Sequence, residues 1–267
     1  MNDEFLWQNG HDVESVVVWL TRDRTASGFW LGDGLFETLL VENGEVFAKE
    51  RHLKRFHEAC KRVELQPDLA MVESGIDAAV RWLGKRRGHL RLSYLSSGDL
   101  IVTAREHELP DQPVKLIAFP FAKSESSILT GIKTISYGYN AAALRYAKAR
   151  HCDDVIFVNP SGNVVETALA NLLFWDGADW FTPRIESGCL PGVTRELLIE
   201  NFGVLEADLP IDEVARMSAL ATTSSLRDVQ GVSTFLDSSG NELSFNTEPV
   251  GRLKQLFRKW RSENPRP

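Results

Sequence analysis

The stretch between residues 35 and 63 narrows most what this chain can fold into. Leu35-Phe36-Glu37-Thr38-Leu39-Leu40-Val41 is an apolar run of β type, closed by Glu42-Asn43-Gly44-Glu45. Asn-Gly between strand residues predicts a tight hairpin, with Val46-Phe47-Ala48 returning alongside. Immediately afterwards Leu53, Phe56, Ala59, Cys60 and Val63 recur at helical spacing and predict a helix over 52–63. A hairpin handed straight to a helix does not build a regular βαβ alternation, and the rest of the chain has the same mixed character.

Residues 16–20, 90–95 and 115–119 read as strands, and 76–83 as a helix with Gly84 near its end. Residues 121–130 (FAKSESSILT) are polar and irregular. The expected organisation is a small N-terminal α/β domain over 1–121, an interdomain linker over 122–130 and a larger C-terminal domain over 131–267. In that second part a strand around Ile132-Lys133-Thr134-Ile135 precedes an alanine-rich helix over 140–150. Strands at 154–158 and 164–166 flank the turn Asn159-Pro160-Ser161-Gly162-Asn163. Further strands fall at 172–175, 180–181 and 219–223, and helices at 195–202 and 211–217. A hairpin over 232–245 and a basic amphipathic helix over 250–260 end the chain. No internal repeat is visible. The expected fold class is α+β, in two lobes.

The 267 residues are 43% hydrophobic and 25% charged, which suits a packed core rather than a disordered chain. Thirty Lys and Arg against 37 Asp and Glu leave a net charge of −7. No basic stripe points to nucleic acid as a partner; Lys85-Arg86-Arg87 and Arg258-Lys259-Trp260-Arg261 read as solvated helix ends. Cys60, Cys152 and Cys189 form no C-x-x-C pair. Neither a disulfide framework nor a metal site is expected, and the count suits a reducing cytosol. The opening MNDEFLWQNG lacks the apolar core of a signal peptide, and no apolar run approaches the ~20 residues of a membrane span. A cytoplasmic protein without a membrane partner is expected.

Several residues could carry chemistry, each with a plainer alternative. Lys133 sits in the apolar segment Gly131-Ile132-Lys133-Thr134-Ile135. It is either an edge-strand cation facing water or a desolvated amine of the kind covalent carbonyl chemistry uses. Gly192-Val193-Thr194 before a helix offers N–H groups and a hydroxyl, as an ordinary cap or as a phosphate site. Thr222-Thr223-Ser224-Ser225 is a polar turn or the completion of that cradle. Glu166 closes the strand Val164-Val165-Glu166, facing solvent or a partner. No G-x-x-x-x-G-K-[ST], H-E-x-x-H or G-x-S-x-G occurs, and Gly32-Asp33-Gly34 is too short for a dinucleotide loop.

Taken in order, these pieces resemble the class IV (fold-type IV) enzymes that use pyridoxal 5′-phosphate (PLP). That family holds branched-chain and D-amino acid aminotransferases and 4-amino-4-deoxychorismate lyase. The matching segments begin with Asp23-Arg24, Gly32-Asp33-Gly34-Leu35-Phe36-Glu37-Thr38 and His52-Leu53-Lys54-Arg55. They continue with Ile132-Lys133-Thr134, Val165-Glu166-Thr167, Ala170-Asn171-Leu172, Leu190-Pro191-Gly192-Val193-Thr194-Arg195 and Thr223-Ser224-Ser225-Leu226. The resemblance implies a two-lobed fold with PLP in the cleft between the lobes. It implies that Lys133 carries PLP as a Schiff base and shuttles protons, and that Glu166 pairs with the pyridinium nitrogen. It implies that Arg55, the amides of Val193 and Thr194, and the hydroxyls of Thr194, Ser224 and Ser225 hold the phosphate.

The segments at Gly32–Thr38 and Thr223–Leu226 are most similar to aminodeoxychorismate lyases, which implies a folate-pathway enzyme making 4-aminobenzoate and pyruvate. An amino acid transaminase of the same family is the alternative. A fold kept without activity is the third possibility; it expects the lysine or the acid to be missing, and both are present. The chain departs from many relatives after Tyr94, where Ser96-Ser97-Gly98-Asp99 stands in place of Arg-Gly and an Arg-containing loop. Arg91, on the face opposite Leu92 and Tyr94, is either a substitute for it or a surface charge. The resemblance further implies a homodimer acting on a small amino substrate.

Overall fold

In the computed structural model, which describes residues 4–14 and 28–267, Asn43 (φ 55°) and Gly44 (φ 83°) both take left-handed backbone. A two-residue turn of that hand matches the twist of paired strands. It folds β3 (Gly34–Glu42) back on β4 (Glu45–Val46), with Val41 opposite Val46. The expected strand at 16–20 and the pair Asp23-Arg24 lie outside the described residues.

The described chain forms two compact units. The first takes the described residues up to Glu108 together with Ile132–Tyr137 and Asn264–Pro267. Its sheet joins β1 (Glu4–Gln8), β2 (His11–Asp12), β3, β4, β5 (Gly88–Leu95) and β6 (Leu100–Glu106), in the order β2-β1-β6-β5-β3-β4 among the described residues. After the single turn α1 (Gly28–Leu31), helices α2 (Lys49–Arg62) and α3 (Leu69–Leu83) supply the core on one face. The predicted helical stripe is real: His52, Phe56 and Cys60 are buried on α2. Helix α3 begins earlier than its apolar spacing suggested. Asp68 caps it, accepting from the N–H groups of Ala70 (2.9 Å) and Met71 (3.3 Å). Full burial of side chains such as Phe56 and Ile76 contributes about 1.5–3 kcal/mol each.

The second unit takes Leu109–Gly131 and Gly138–Glu263. Its strands are β7 (Val114–Ala118), β8 (Asp154–Ile156), β9 (Asn171–Trp175), β10 (Trp180–Pro183), β11 (Leu205–Ala207), β12 (Ala219–Ser224), β13 (Asp228–Leu236) and β14 (Glu242–Ser244). They run in the order β11-β10-β9-β12-β13-β7-β8, with β14 on β13. Helices α4 (Gly138–Lys148), α5 (Val193–Phe202) and α6 (Glu248–Glu263) accompany them. The units divide at 108/109 rather than at 121, because β7 pairs in parallel with both β13 and β8. Residues 122–130 belong to this unit too: the Lys123 N–H donates to Val158 O (2.8 Å) and the Tyr139 hydroxyl to Ala122 O (3.1 Å).

The segment Ile132–Tyr137 returns to the first unit as an edge on β3. In place of the expected strand it forms one β-bridge, Leu35 to Thr134, flanked by Phe36 N–H to Lys133 O (2.8 Å) and Ile135 N–H to Gly34 O (3.0 Å). Among the described residues no helix is long and apolar enough to cross a membrane.

Candidate active site

Two groups of side chains stand out, one in each unit. In the first, the bridge to Leu35 puts Lys133 on the same face of β3 as Phe36, and the Lys133 ammonium lies 4.5 Å from the centre of that ring. The Arg91 guanidinium sits 3.7 Å from the same ring, and Tyr137 meets it edge-on. Cations drawn to an aromatic ring are worth a few tenths to about 2 kcal/mol each, depending on exposure. The next residue, Glu37, leaves β3 on the opposite face, where α2 lies.

That carboxylate is 2% exposed and fully engaged. Arg55 grips it through Nε (2.9 Å to Oε1) and Nη2 (2.7 Å to Oε2), and His52 Nδ1 lies 3.0 Å from Oε2. Burial opposes ionisation of Glu37. The charge of Arg55 and the hydrogen bonds from His52 and Arg55 outweigh it and hold the carboxyl well below the usual range. Burial pulls His52 down, so the imidazole stays neutral. Lys133 and Arg55 are therefore brought to the same end of β3 but depart from opposite faces. Glu37 was legible in principle: period-2 alternation sets it with Leu35, Leu39 and Val41 on the core face, where a charge demands a partner.

His89 shares the Lys133 face, since it pairs with Leu40 on one side and Arg105 on the other. Among the described residues neither ring nitrogen has a hydrogen-bond partner. Burial pulls the imidazole down to about 4, and the nearby charges of Arg105, His107, Arg91 and Lys133 push the same way. A histidine lowered from 6.5 contributes stability present above that pH and lost as the pH falls toward about 4. His89→Phe is expected to remove up to about 3 kcal/mol of this dependence. Denaturant titrations between pH 6.5 and 4 should give a flatter stability curve for the variant; an unchanged curve refutes the assignment.

In the second unit Glu166 anchors the other group. Its Oε2 accepts from the Leu190 N–H (3.0 Å) and lies 3.5 Å from Asn171 Nδ2, while its Oε1 meets the Lys123 ammonium. Asn171 also donates to Leu190 O (2.9 Å) and presses on Gly192, where a Cβ would overlap its Oδ1. A side chain at 192 would have to push the Asn171 carboxamide out of its place beside Leu190 and Glu166. Gly192 is the N-cap of α5 and provides no side-chain cap, so the helix offers the N–H groups of Val193 and Thr194 at its positive end. Helix α5 packs on β12, whose last residue is Ser224, and Asn171 pairs with Thr223 across β9 and β12. Thr223 itself is spent inside the turn, donating to Asp228 O (2.7 Å). Glu166, Val193, Thr194 and Ser224 are thus gathered in one unit, and Ser225 follows directly in the β12–β13 turn. Lys123, in the polar stretch, gave no signal of its place beside Glu166.

This is the architecture of the fold-type IV PLP enzymes. The chain belongs to the amino-transferase class IV family, whose pattern matches residues 34–235 and whose members depend on PLP. A bifunctional aminodeoxychorismate lyase / D-amino acid transaminase from Mycobacterium tuberculosis is 29% identical over 198 residues, covering 63% of this chain and 68% of that one. An aminodeoxychorismate lyase from Bacillus subtilis is 25% identical over 193 residues, 65% of this chain and 66% of the other. The fold is shared with a hypothetical aminotransferase from M. tuberculosis in its PLP-bound form, at a TM-score of 0.78 and 23% identity, covering 94% and 97% of the two chains.

Proposed function

We propose that this chain is a lyase converting 4-amino-4-deoxychorismate to 4-aminobenzoate and pyruvate, with Lys133 as its catalytic residue. The observation that carries the reading is the match to relatives that bear the lyase's name, at 29% and 25% identity. The similarity of Gly32–Thr38 and Thr223–Leu226 to lyase segments points the same way.

The donor sets fit a phosphate-bearing pyridine. A glycine whose missing side chain leaves room only for the Asn171 carboxamide and an uncapped helix start suit an anion pressed against backbone, and a carboxylate held by backbone suits a ring nitrogen. In this reading Val193 and Thr194 hold the phosphate through their amides, and Thr194, Ser224 and Ser225 through their hydroxyls. Arg55 adds charge, its guanidinium plane set by Glu37. Glu166 keeps a proton on the ring nitrogen. When bound, PLP supplies an electron sink for negative charge at the substrate carbon that carries the amine. Lys133 provides the amine that retains the cofactor and the base that moves the proton at that carbon. Arg91, beside Lys133 on the Phe36 ring, offers a carboxylate a cation where the Arg-containing loop of relatives is missing.

The M. tuberculosis relative carries both a lyase and a transaminase name, so amino acid transamination is the second reading. The two differ in stoichiometry. A lyase returns to its starting state after releasing pyruvate, whereas a transaminase stops after one turnover unless a keto acid accepts the amine. Supplied with 4-amino-4-deoxychorismate and no keto acid, the protein is expected to release 4-aminobenzoate and pyruvate in equal, sustained amounts. No product from that substrate, together with repeated turnover of an amino acid plus 2-oxoglutarate or pyruvate, would replace the lyase by the transaminase.

A further inference from the structure

The two oxygens of Glu166 are held very differently. Oε2 is built in: the Leu190 N–H lies 3.0 Å away and Asn171 Nδ2 3.5 Å, and Asn171 is itself fixed by its bond to Leu190 O (2.9 Å). Among the described residues Oε1 is met by the Lys123 ammonium alone. The Lys123 backbone is pinned, because its N–H donates to Val158 O (2.8 Å). Its side chain ends on a flexible four-carbon stem and is 20% exposed, against 10% for Glu166. The ammonium also lies 5.2 Å from the centre of the Phe157 ring, so it has a second attractive position within reach of a small rotation. One oxygen is held by a backbone N–H and a fixed amide and the other by a cation on a long, partly exposed side chain, so the second partner is the one that can be exchanged.

We infer that Lys123 is a place-holder: it occupies the Glu166 oxygen that the cofactor's ring nitrogen takes, and cofactor binding exchanges one cation for the other. The inference rests on the proposed role of Glu166. Breaking a buried pair by removing one partner leaves an uncompensated charge, so Lys123 keeps the cofactor-free protein stable and at the same time competes with the cofactor. Lys123 is on this view a positioning residue; it withdraws toward Phe157 when the ring arrives.

The experiment compares PLP with a carbocyclic analogue carrying C–H in place of the ring nitrogen, binding being measured by equilibrium dialysis on wild type, Lys123→Met, Lys123→Arg and Glu166→Gln. In Lys123→Met, PLP relieves an unpaired Glu166, so its affinity is expected to rise about tenfold or more. The analogue cannot relieve it, and its affinity should not move. Cofactor-free Lys123→Met should melt below wild type, with the gap closing at saturating PLP. Lys123→Arg restores the pair and should restore wild-type behaviour, and Lys123→Gln repeats the comparison if the Met variant folds poorly. PLP binding no tighter in Lys123→Met, or equal shifts for both ligands, overturns the exchange. The Glu166→Gln arm is separate: if that variant still prefers PLP over the analogue as wild type does, the ring-nitrogen role of Glu166 fails, whatever Lys123 does.

Discussion

Replacing Lys133 by alanine is expected to abolish turnover, a loss of about 10³-fold or more, while leaving the fold intact. The backbone contacts of this segment do not involve the side chain: Lys133 O accepts from the Phe36 N–H and the flanking bonds come from Thr134 and Ile135. The contact of the ammonium with the Phe36 ring is among those lost, and it is a small term beside the chemistry. The companion measurement uses borohydride, which traps a cofactor held on an amine. Peptide mapping of reduced, cofactor-loaded wild type should find the adduct on the peptide containing Lys133, and Lys133→Ala should yield none. The informative failure is an adduct at Lys123, ten residues earlier in the chain. That would move the covalent role to the lysine beside Glu166 and leave Lys133 as a cation on an aromatic ring.

How much of this was legible depends on whether a residue's role is local. The Asn43-Gly44 hairpin and the stripe of α2 follow from backbone preference and periodicity, and both are present. The start of α3 is set by the side chain of Asp68 capping Ala70 and Met71, a contact that apolar spacing does not register. Strand β6 runs back from the turn at Ser96–Asp99, so the turn that lacks the relatives' arginine is a plain hairpin between β5 and β6. The unit boundary is decided by β7 pairing with β13, more than a hundred residues away, and no local signal reports such a partner. The site divides in the same manner. Gly192 before a helix is readable from sequence, but its crowding is set by the Asn171 side chain from β9. Glu37 could have been placed on the core face by alternation, whereas its partner Arg55 is identified only when α2 docks on β3.

Glu37 and Arg55 also carry the second large expected effect, because one arginine serves both the fold and the proposed phosphate site. Arg55→Met leaves Glu37 buried with His52 as its remaining partner among those described above, and the expected loss is about 3–5 kcal/mol of stability together with weakened PLP binding. Adding Glu37→Gln to that variant removes the stranded charge, and the new amide oxygen can still accept from His52. Stability should then recover by about 2 kcal/mol or more, but PLP affinity should not, since the phosphate partner is still missing. The pH dependence separates the same species. A carboxyl held below its usual value contributes stability that is present above pH 4.5 and lost as the pH falls below it. Wild type should show that acid-side loss, and the double variant should lack the part due to Glu37. Denaturant titration at two pH values and a PLP binding curve on the three proteins decide the matter. If affinity recovers along with stability, Arg55 is a structural residue and the phosphate is held without it.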